Sequence, residues 1–227
     1  MSDSQPKIIV TEDGSHTIYL KNINETYHSF HGAWQESNHV FITSGLEHLL
    51  NTGNPPTINL LEIGFGTGLN AILTVQKLLG KSNVVNYHSL EPFPLDPELI
   101  ENLNYTNYLK NEQEKQLFKT IHTSTWHKSV PITGNFTLHK QKITLQNYQP
   151  DRSFELIYFD AFAPSKQSEL WTYQIIKKVT GFLTQGGILV TYCARGQFKR
   201  DLLALELQVE TLPGPPGKKE MVRATKN

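Results

Sequence analysis

The chain has 227 residues, of which 38% are hydrophobic and 19% charged; this is globular composition and excludes a disordered chain. The length suits a single α/β domain, 1–227, with a full core. Lysine plus arginine number 21, matching 21 acids, so no global field marks a polyanionic partner, although a local basic patch would be enough to bind one.

The chain opens on Met1-Ser2-Asp3-Ser4-Gln5, with neither a basic region nor an apolar stretch, so no signal peptide is expected. No apolar run approaches the ~20 residues that span a bilayer, and a cytoplasmic protein without membrane contact is expected. Segment 8–27 is β-rich with a turn signal at Asp13-Gly14 and predicts a hairpin. An aromatic, small-residue stretch follows at 27–34. The spacing of Val40, Phe41, Leu46, Leu49 and Leu50 predicts an amphipathic helix over 36–50, and Asn54-Pro55-Pro56 breaks the chain after it.

From residue 57 strands alternate with helices. Strands are predicted at 57–63, 84–90, 136–139, 154–159 and 188–193. The intervening helices are predicted at 69–79, ended by Gly80, at 97–118, and at 168–183, closed by Gly186-Gly187. A helix near 197–205, strands near 207–212 and 221–224, and a Pro-Gly loop at 213–217 complete the pattern. Such alternation argues for a parallel sheet covered on both faces. Ligands bind outside the C-terminal strand ends of these sheets, near the switch point, and Gly64, Glu91 and Asp160 all fall at predicted strand ends. Cys193 lies in an apolar strand and reads as a buried thiol in a reducing compartment. The charge is uneven: residues 1–194 carry 14 bases against 17 acids, and residues 195–227 carry 7 against 4.

Glu62-Ile63-Gly64-Phe65-Gly66-Thr67-Gly68 sits between a strand and a helix, the context a ligand-cradling turn requires. Its G-x-G-x-G spacing differs from the G-x-G-x-x-G of nicotinamide enzymes and disfavours a dehydrogenase. An acid beside the loop suits a ligand with amino and sulfonium charges, which points to S-adenosylmethionine. Glu91 stands where a carboxylate accepts from both ribose hydroxyls. Asp160, followed two positions later by Phe162, has the chemistry of an amino-group methyltransferase. A carboxylate aims an amine N–H and accepts its proton, while an aromatic ring stacks on a planar base. The bland readings are a packing turn, a solvated Glu91 and a turn-capping Asp160. No His/Cys/Asp grouping has metal-ligand spacing, so no metal is expected. His28, His88, His139 and Trp171 read as packing or surface residues.

The combination of Tyr27-His28-Ser29, Gly32-Ala33, Glu36-Ser37, Val40-Phe41, Leu61 to Asn70, Phe159 to Pro164, Leu170-Trp171-Thr172 and Leu212 to Met221 resembles the MnmD family, the stand-alone form of the methyltransferase half of MnmC. The resemblance runs from about Tyr27 to Ala224. It implies a Rossmann-like S-adenosylmethionine-dependent methyltransferase fold, with a short β-rich N-terminal extension over 1–54 covering the cofactor site and a core over 55–227. It further implies methylation of the aminomethyl group on a tRNA wobble (2-thio)uridine, with the oxidoreductase half of MnmC absent. By position, Asp160 matches the active-site aspartate, and Glu62, Gly64, Phe65, Gly66, Gly68 and Asn70 match the cofactor loop. Glu91 matches the ribose acid, and Tyr27, Ser29, Gly32 and Glu36 match a segment that closes over the cofactor. Where the family carries Gly-Asp to hold the adenine amino group, this chain has His139-Lys140-Gln141-Lys142, so Gln141 stands for the acid and offers an amide oxygen instead. Lys218, Lys219 and Arg223, with Lys199 and Arg200, are the candidate phosphate contacts for tRNA, and a monomer is the favoured state. Competing readings are an N-methyltransferase for a small diffusible amine and a catalytically silent cofactor-fold module.

Overall fold

The first elements form a small antiparallel sheet. β1 (Lys7–Val10) pairs with β2 (His16–Leu20), Lys7 opposite Tyr19 and Val10 opposite His16, and β3 (Glu25–Thr26) pairs with β2. Asp13 holds the hairpin turn, its Oδ1 accepting from Thr11 Oγ1 and Ser15 N, as the Asp-Gly signal predicts. The structure is a computed structural model and describes residues 5–227; residues 1–4, on which the expectation of no signal peptide partly rests, lie outside the described residues.

Helix then runs without a break from Ala33 to Thr52, as α1 (Ala33–Ser37), a ten-residue π-helical stretch (Asn38–Glu47) and α2 (His48–Thr52). It starts three residues before the predicted boundary, and its middle has i→i+5 geometry, which a 3.6-residue period does not anticipate. Consecutive Val40, Phe41 and Ile42 are all buried there, a wider face than α-periodicity provides. Gly45 lets this segment lie directly on the sheet, since a Cβ would sit 2.9 Å from Val190 Cγ2 and 3.3 Å from the Tyr158 ring.

The remaining elements are β4 (Thr57–Ile63), α3 (Leu69–Leu78), β5 (Val84–Leu90), α4 (Pro97–Glu101), a 3₁₀ turn (Asn104–Tyr108), α5 (Glu112–Thr123), β6 (Ser129–Thr133), β7 (Phe136–Gln141) and β8 (Phe154–Phe159). A second 3₁₀ turn (Ser168–Trp171), α6 (Tyr173–Gly181), β9 (Leu183–Thr191), α7 (Gly196–Ala204), β10 (Leu207–Pro213) and β11 (Glu220–Lys226) follow. Eight strands form one sheet in the order β10-β11-β9-β8-β4-β5-β7-β6. The five central strands are parallel, while β11 and β6 run antiparallel to their inner neighbours. Alternate residues supply two cores. Ile58 and Leu60 of β4 face a cluster with α3 and the 33–52 helix, whereas Leu61 and Ile63 face one with α6 and α7. The architecture is the expected Rossmann-like α/β sheet.

Three boundaries differ from the sequence reading. The predicted helix over 97–118 is three elements, because Asp96 and Asn111 each accept from a backbone N–H two or three residues on and open a new helix. Gly186 and Gly187 do not follow a helix; they lie within β9, in an irregularity where Phe154 pairs with Leu183 but Leu156 pairs with Ile188. The edge strand β6 was not predicted. Its Pro131 is tolerated at a sheet edge, where one face of hydrogen bonding is not needed.

Candidate active site

Chain order reverses between β4 and β8, so their C-terminal ends diverge and leave a crevice. A cleft of about 1260 Å³ opens there. Its walls are the turn after β4 (Gly64 to Thr67, with Leu69 and Asn70), Glu91 and Phe93 after β5, residues 143–146 after β7, and Asp160 to Ala163 after β8. Tyr27, His28, Ser29 and Glu36 close it from the N-terminal segment, and Lys218 and Tyr192 from the C-terminal half.

The glycine turn is held at both flanks. Gly64 N donates to Leu90 O and Asp160 N to Ile63 O, each at 3.0 Å. Gly64 (φ +92°) and Gly66 (φ +48°) occupy the left-handed region that side chains disfavour. A Cβ on Gly64 would meet Asp160 O at 2.5 Å, and one on Gly66 would meet the Tyr27 ring at 2.9 Å. The turn is therefore compressed between β8 and the N-terminal segment. His28 adds a second link, its Nε2 2.6 Å from Thr67 Oγ1, and burial pulls its pKa down to about 4, so it is neutral. Phe65 turns its ring inward toward His122 and Trp126.

Glu91 is buried, and its two oxygens accept from Gly66 N at 3.1 Å and Phe93 N at 2.9 Å. Burial raises its pKa, and the two amide bonds oppose that rise. These bonds orient the carboxylate at the cleft wall and leave lone pairs for a diol. Asp160 accepts at Oδ2 from Asn70 Nδ2 at 2.8 Å. Burial first, and the nearby Glu36 charge second, push its pKa up to about 7, while Asn70 and Lys218 oppose the rise. Glu36 accepts from Ser29 N and pairs with Lys218 Nζ, which also lies 4.5 Å from the centre of the Tyr192 ring. Phe162 lines the cleft with its ring 5.2 Å from that of Tyr27. Its backbone is held by Gln167 Oε1 and Trp171 Nε1, and Trp171 packs on Phe159 and Phe198 as a core residue.

Several predicted site residues lie elsewhere. Glu62 is fully buried behind the turn, bonded to Ser89 Oγ at 2.6 Å, and does not reach the cleft wall. Gly68 opens α3 and packs on His122. Gln141 ends β7 off the cleft wall, with a buried, unpartnered Oε1; residues 143–146 form the wall instead. Arg223 does not suit a phosphate contact, because it is 9% exposed and forks onto Glu210 at 2.8 and 3.0 Å, with a further bond to Ser44 O. Lys218 faces into the cleft toward Glu36 rather than outward. Lys199 pairs with Glu220 at 3.1 Å and Arg200 bonds Gln197 at 2.8 Å, whereas Lys219 is exposed. Tyr192, whose Oη donates to Ala161 O at 2.8 Å, escaped the sequence reading because it sits inside an apolar run. Among the described residues no group of three His, Cys, Asp or Glu can hold a metal, and no helix is long and apolar enough to cross a membrane.

The residues fit S-adenosylmethionine on geometric grounds: two left-handed glycines keep Cβ atoms out of the turn, and an oriented carboxylate stands at the end of the next strand. Comparison with known proteins agrees. Residues 104–227, more than half of the chain, match the model of a family described as S-adenosyl-L-methionine-dependent methyltransferase. The chain is 28% identical over 211 residues to the tRNA 5-methylaminomethyl-2-thiouridine biosynthesis bifunctional protein MnmC of Campylobacter hominis, covering 91% of this chain and 31% of that protein. It is 23% identical over 241 residues to the MnmC of Cupriavidus metallidurans, covering 95% and 33%. The chain thus spans about a third of the length of these curated relatives. The crystal structure of MNMC2 from Aquifex aeolicus superposes with a TM-score of 0.78 at 20% identity, over 100% of this chain and 71% of that one; at that identity the likeness speaks for the fold.

Proposed function

Since the chain belongs to the S-adenosyl-L-methionine-dependent methyltransferase family, we propose that it methylates the 5-aminomethyl group of a tRNA wobble (2-thio)uridine, giving 5-methylaminomethyl-(2-thio)uridine. The observation that carries this reading is Asp160: a carboxylate at the cleft wall, held by Asn70 and two residues before Phe162. S-adenosylmethionine, when bound, supplies an electrophilic methyl group, and transfer breaks the S–CH₃ bond as the N–CH₃ bond forms. Gly64, Gly66 and Asn70 would hold its amino-acid end, and Glu91 would take its ribose hydroxyls. Asp160 accepts an N–H of the substrate amine, aims the lone pair at the methyl carbon and takes up the proton released on bond formation. Phe162 and Tyr27 stack on the base. The segment up to residue 54 acts as the cover of one methyltransferase domain, supported by Tyr27 on Gly66, His28 on Thr67 and Glu36 on Lys218.

The cleft wall carries Glu25, Glu36, Glu91, Asp96, Glu98, Asp160 and Glu169 against Lys166 and Lys218. An acidic interior attracts an aminomethyl cation and repels phosphate. The base therefore enters alone, flipped from its stack, while exposed Lys166, Arg195 and Lys219 meet the backbone outside. The same acidity favours a second reading, a small diffusible amine. The chain works as a cytoplasmic enzyme in either reading. Nucleoside mass spectrometry of tRNA from a strain lacking this chain, before and after treatment with the purified protein and S-adenosylmethionine, tests both. Conversion of aminomethyl to methylaminomethyl uridine is expected; an unchanged nucleoside profile with methylation of free amines supports the second reading and overturns the first.

A further inference from the structure

Four polar side chains lead from behind the cleft to its wall. Ser89 Oγ donates to Glu62 Oε2 at 2.6 Å, and Asn70 Nδ2 donates to Asp160 Oδ2 at 2.8 Å. Beside these bonds, Glu62 Oε1, Asn70 Oδ1 and Tyr87 Oη are buried and without a hydrogen-bond partner, and both Asn70 and Tyr87 neighbour Glu62. The Glu62 and Asn70 oxygens cannot bond each other while Glu62 is ionised, and buried acceptors left unpaired are costly. A proton on Glu62 lets Oε1 donate to Asn70 Oδ1, since a carboxylic acid donates to an amide oxygen, whereas the Tyr87 hydroxyl alone leaves Asn70 Oδ1 without a donor.

We propose that Glu62 is a neutral carboxylic acid that orients the Asn70 amide, and that Asn70 is the positioning residue that presents the Asp160 carboxylate to the substrate amine. The inference rests on the reading of Asp160 as the group that aims the amine. Glu62 differs here from the sequence expectation of a cofactor-binding charge: its exposure is 0%, and it does not line the cleft. Its pKa is pushed up to about 8, by burial first and by the Asp160 charge, with hydrogen bonds from Ser89, Tyr87 and Asn70 opposing the rise. Tyr87 and Ser89 face it from β5, Tyr158 and Asp160 from β8 and its end, and Asn70 from α3; no cation lies among them. Of the two acids flanking one amide, the deeper one keeps the proton. Asn70 then has one orientation, amide nitrogen toward Asp160, which leaves Asp160 Oδ1 to accept from the amine.

The order of groups yields a split that a cofactor-binding Glu62 does not. Glu62→Ala leaves Asn70 free to rotate, so kcat falls at least tenfold at saturating cofactor and tRNA. Glu62→Gln keeps the donor to Asn70 and the acceptor for Ser89, and restores kcat while S-adenosylmethionine affinity by calorimetry stays within about threefold of wild type. Asn70→Asp places a second charge beside Asp160 and moves the acid limb of the kcat profile to higher pH; Asn70→Ser serves if that variant does not fold, with kcat falling and the acid limb again moving up, since the Asn70 hydrogen bond holds the Asp160 pKa down. Thermal unfolding supplies a readout without substrate. A carboxyl whose folded pKa exceeds its unfolded value loses stability as pH rises through the folded pKa, so the Tm gap between Glu62→Gln and wild type widens in favour of Gln from about pH 5 to about pH 8. A tenfold loss of cofactor affinity in Glu62→Gln, or a pH-independent Tm gap, overturns the proposal. If wild type itself fails to methylate tRNA, the substrate reading falls, while calorimetry and Tm still judge Glu62.

Discussion

Lys218 Nζ pairs with Glu36 Oε1 across 182 positions of sequence, joining the loop before β11 to α1 at the wall of the cleft. The Glu36 side chain is 6% exposed and that of Lys218 31%, so the carboxylate is the more deeply desolvated partner. The pair ties the N-terminal segment down over the glycine turn and sets the charge that Asp160 experiences.

Lys218→Ala leaves the Glu36 carboxylate buried with Ser29 N as its remaining donor. We expect a stability loss of about 1–3 kcal/mol in urea unfolding, below the value for a fully buried pair because Lys218 keeps partial exposure. The acid limb of turnover moves upward as well, since Lys218 holds the Asp160 pKa down. Unchanged stability together with an unchanged limb would show the pair to be incidental.

Asp160→Asn removes the charge and keeps the shape. Turnover at saturating substrates should fall about 10²–10⁴-fold, the range of positioned proton transfer, with cofactor affinity changing less than tenfold, or about 1.4 kcal/mol. In wild type the Asp160 carboxyl is raised to about 7, so kcat climbs as pH rises through that value and levels above it. The same raised pKa means that Asp160 costs the fold stability as pH rises through about 7. Loss of cofactor binding with turnover retained would make Asp160 a cofactor residue instead.

Glu91→Ala deletes the oriented carboxylate after β5. Cofactor affinity should weaken by about 1.5–3 kcal/mol, the scale of hydrogen bonds to a charged group, as read by calorimetry. An affinity equal to wild type would place the ribose elsewhere in the cleft.

Lys219→Glu changes an exposed residue outside the acidic interior. The Michaelis constant for tRNA should rise and its log–log salt dependence should lessen by about 0.7–0.9 for the one lost contact, with cofactor affinity constant. Wild-type tRNA kinetics from this variant would move the RNA surface to another face.

Much of this was legible before any coordinates. The strand–helix alternation from residue 57 predicted β4, β5 and β8 to the residue, since their β-branched and aromatic residues lie between turn and helix signals. The strand–glycine–helix context located the turn, and the acids at positions 91 and 160 marked the next strand ends; both line the cleft. These are local signals, carried by residues within one turn or one strand of each other. Charge partners are not local. Arg223 and Lys218 read alike in sequence as basic residues of one region. In the fold Arg223 is neutralised by Glu210 across a strand pair, and Lys218 by a glutamate from the far end of the chain. Glu62 likewise reads as a ligand-facing acid, but strand alternation turns it toward Ser89 and Asn70, into a core where an unpaired charge is too costly to keep. Composition and periodicity determined the central strands and the turn between them. The path of the chain alone decided which charges meet, because desolvation and pairing depend on distance in space.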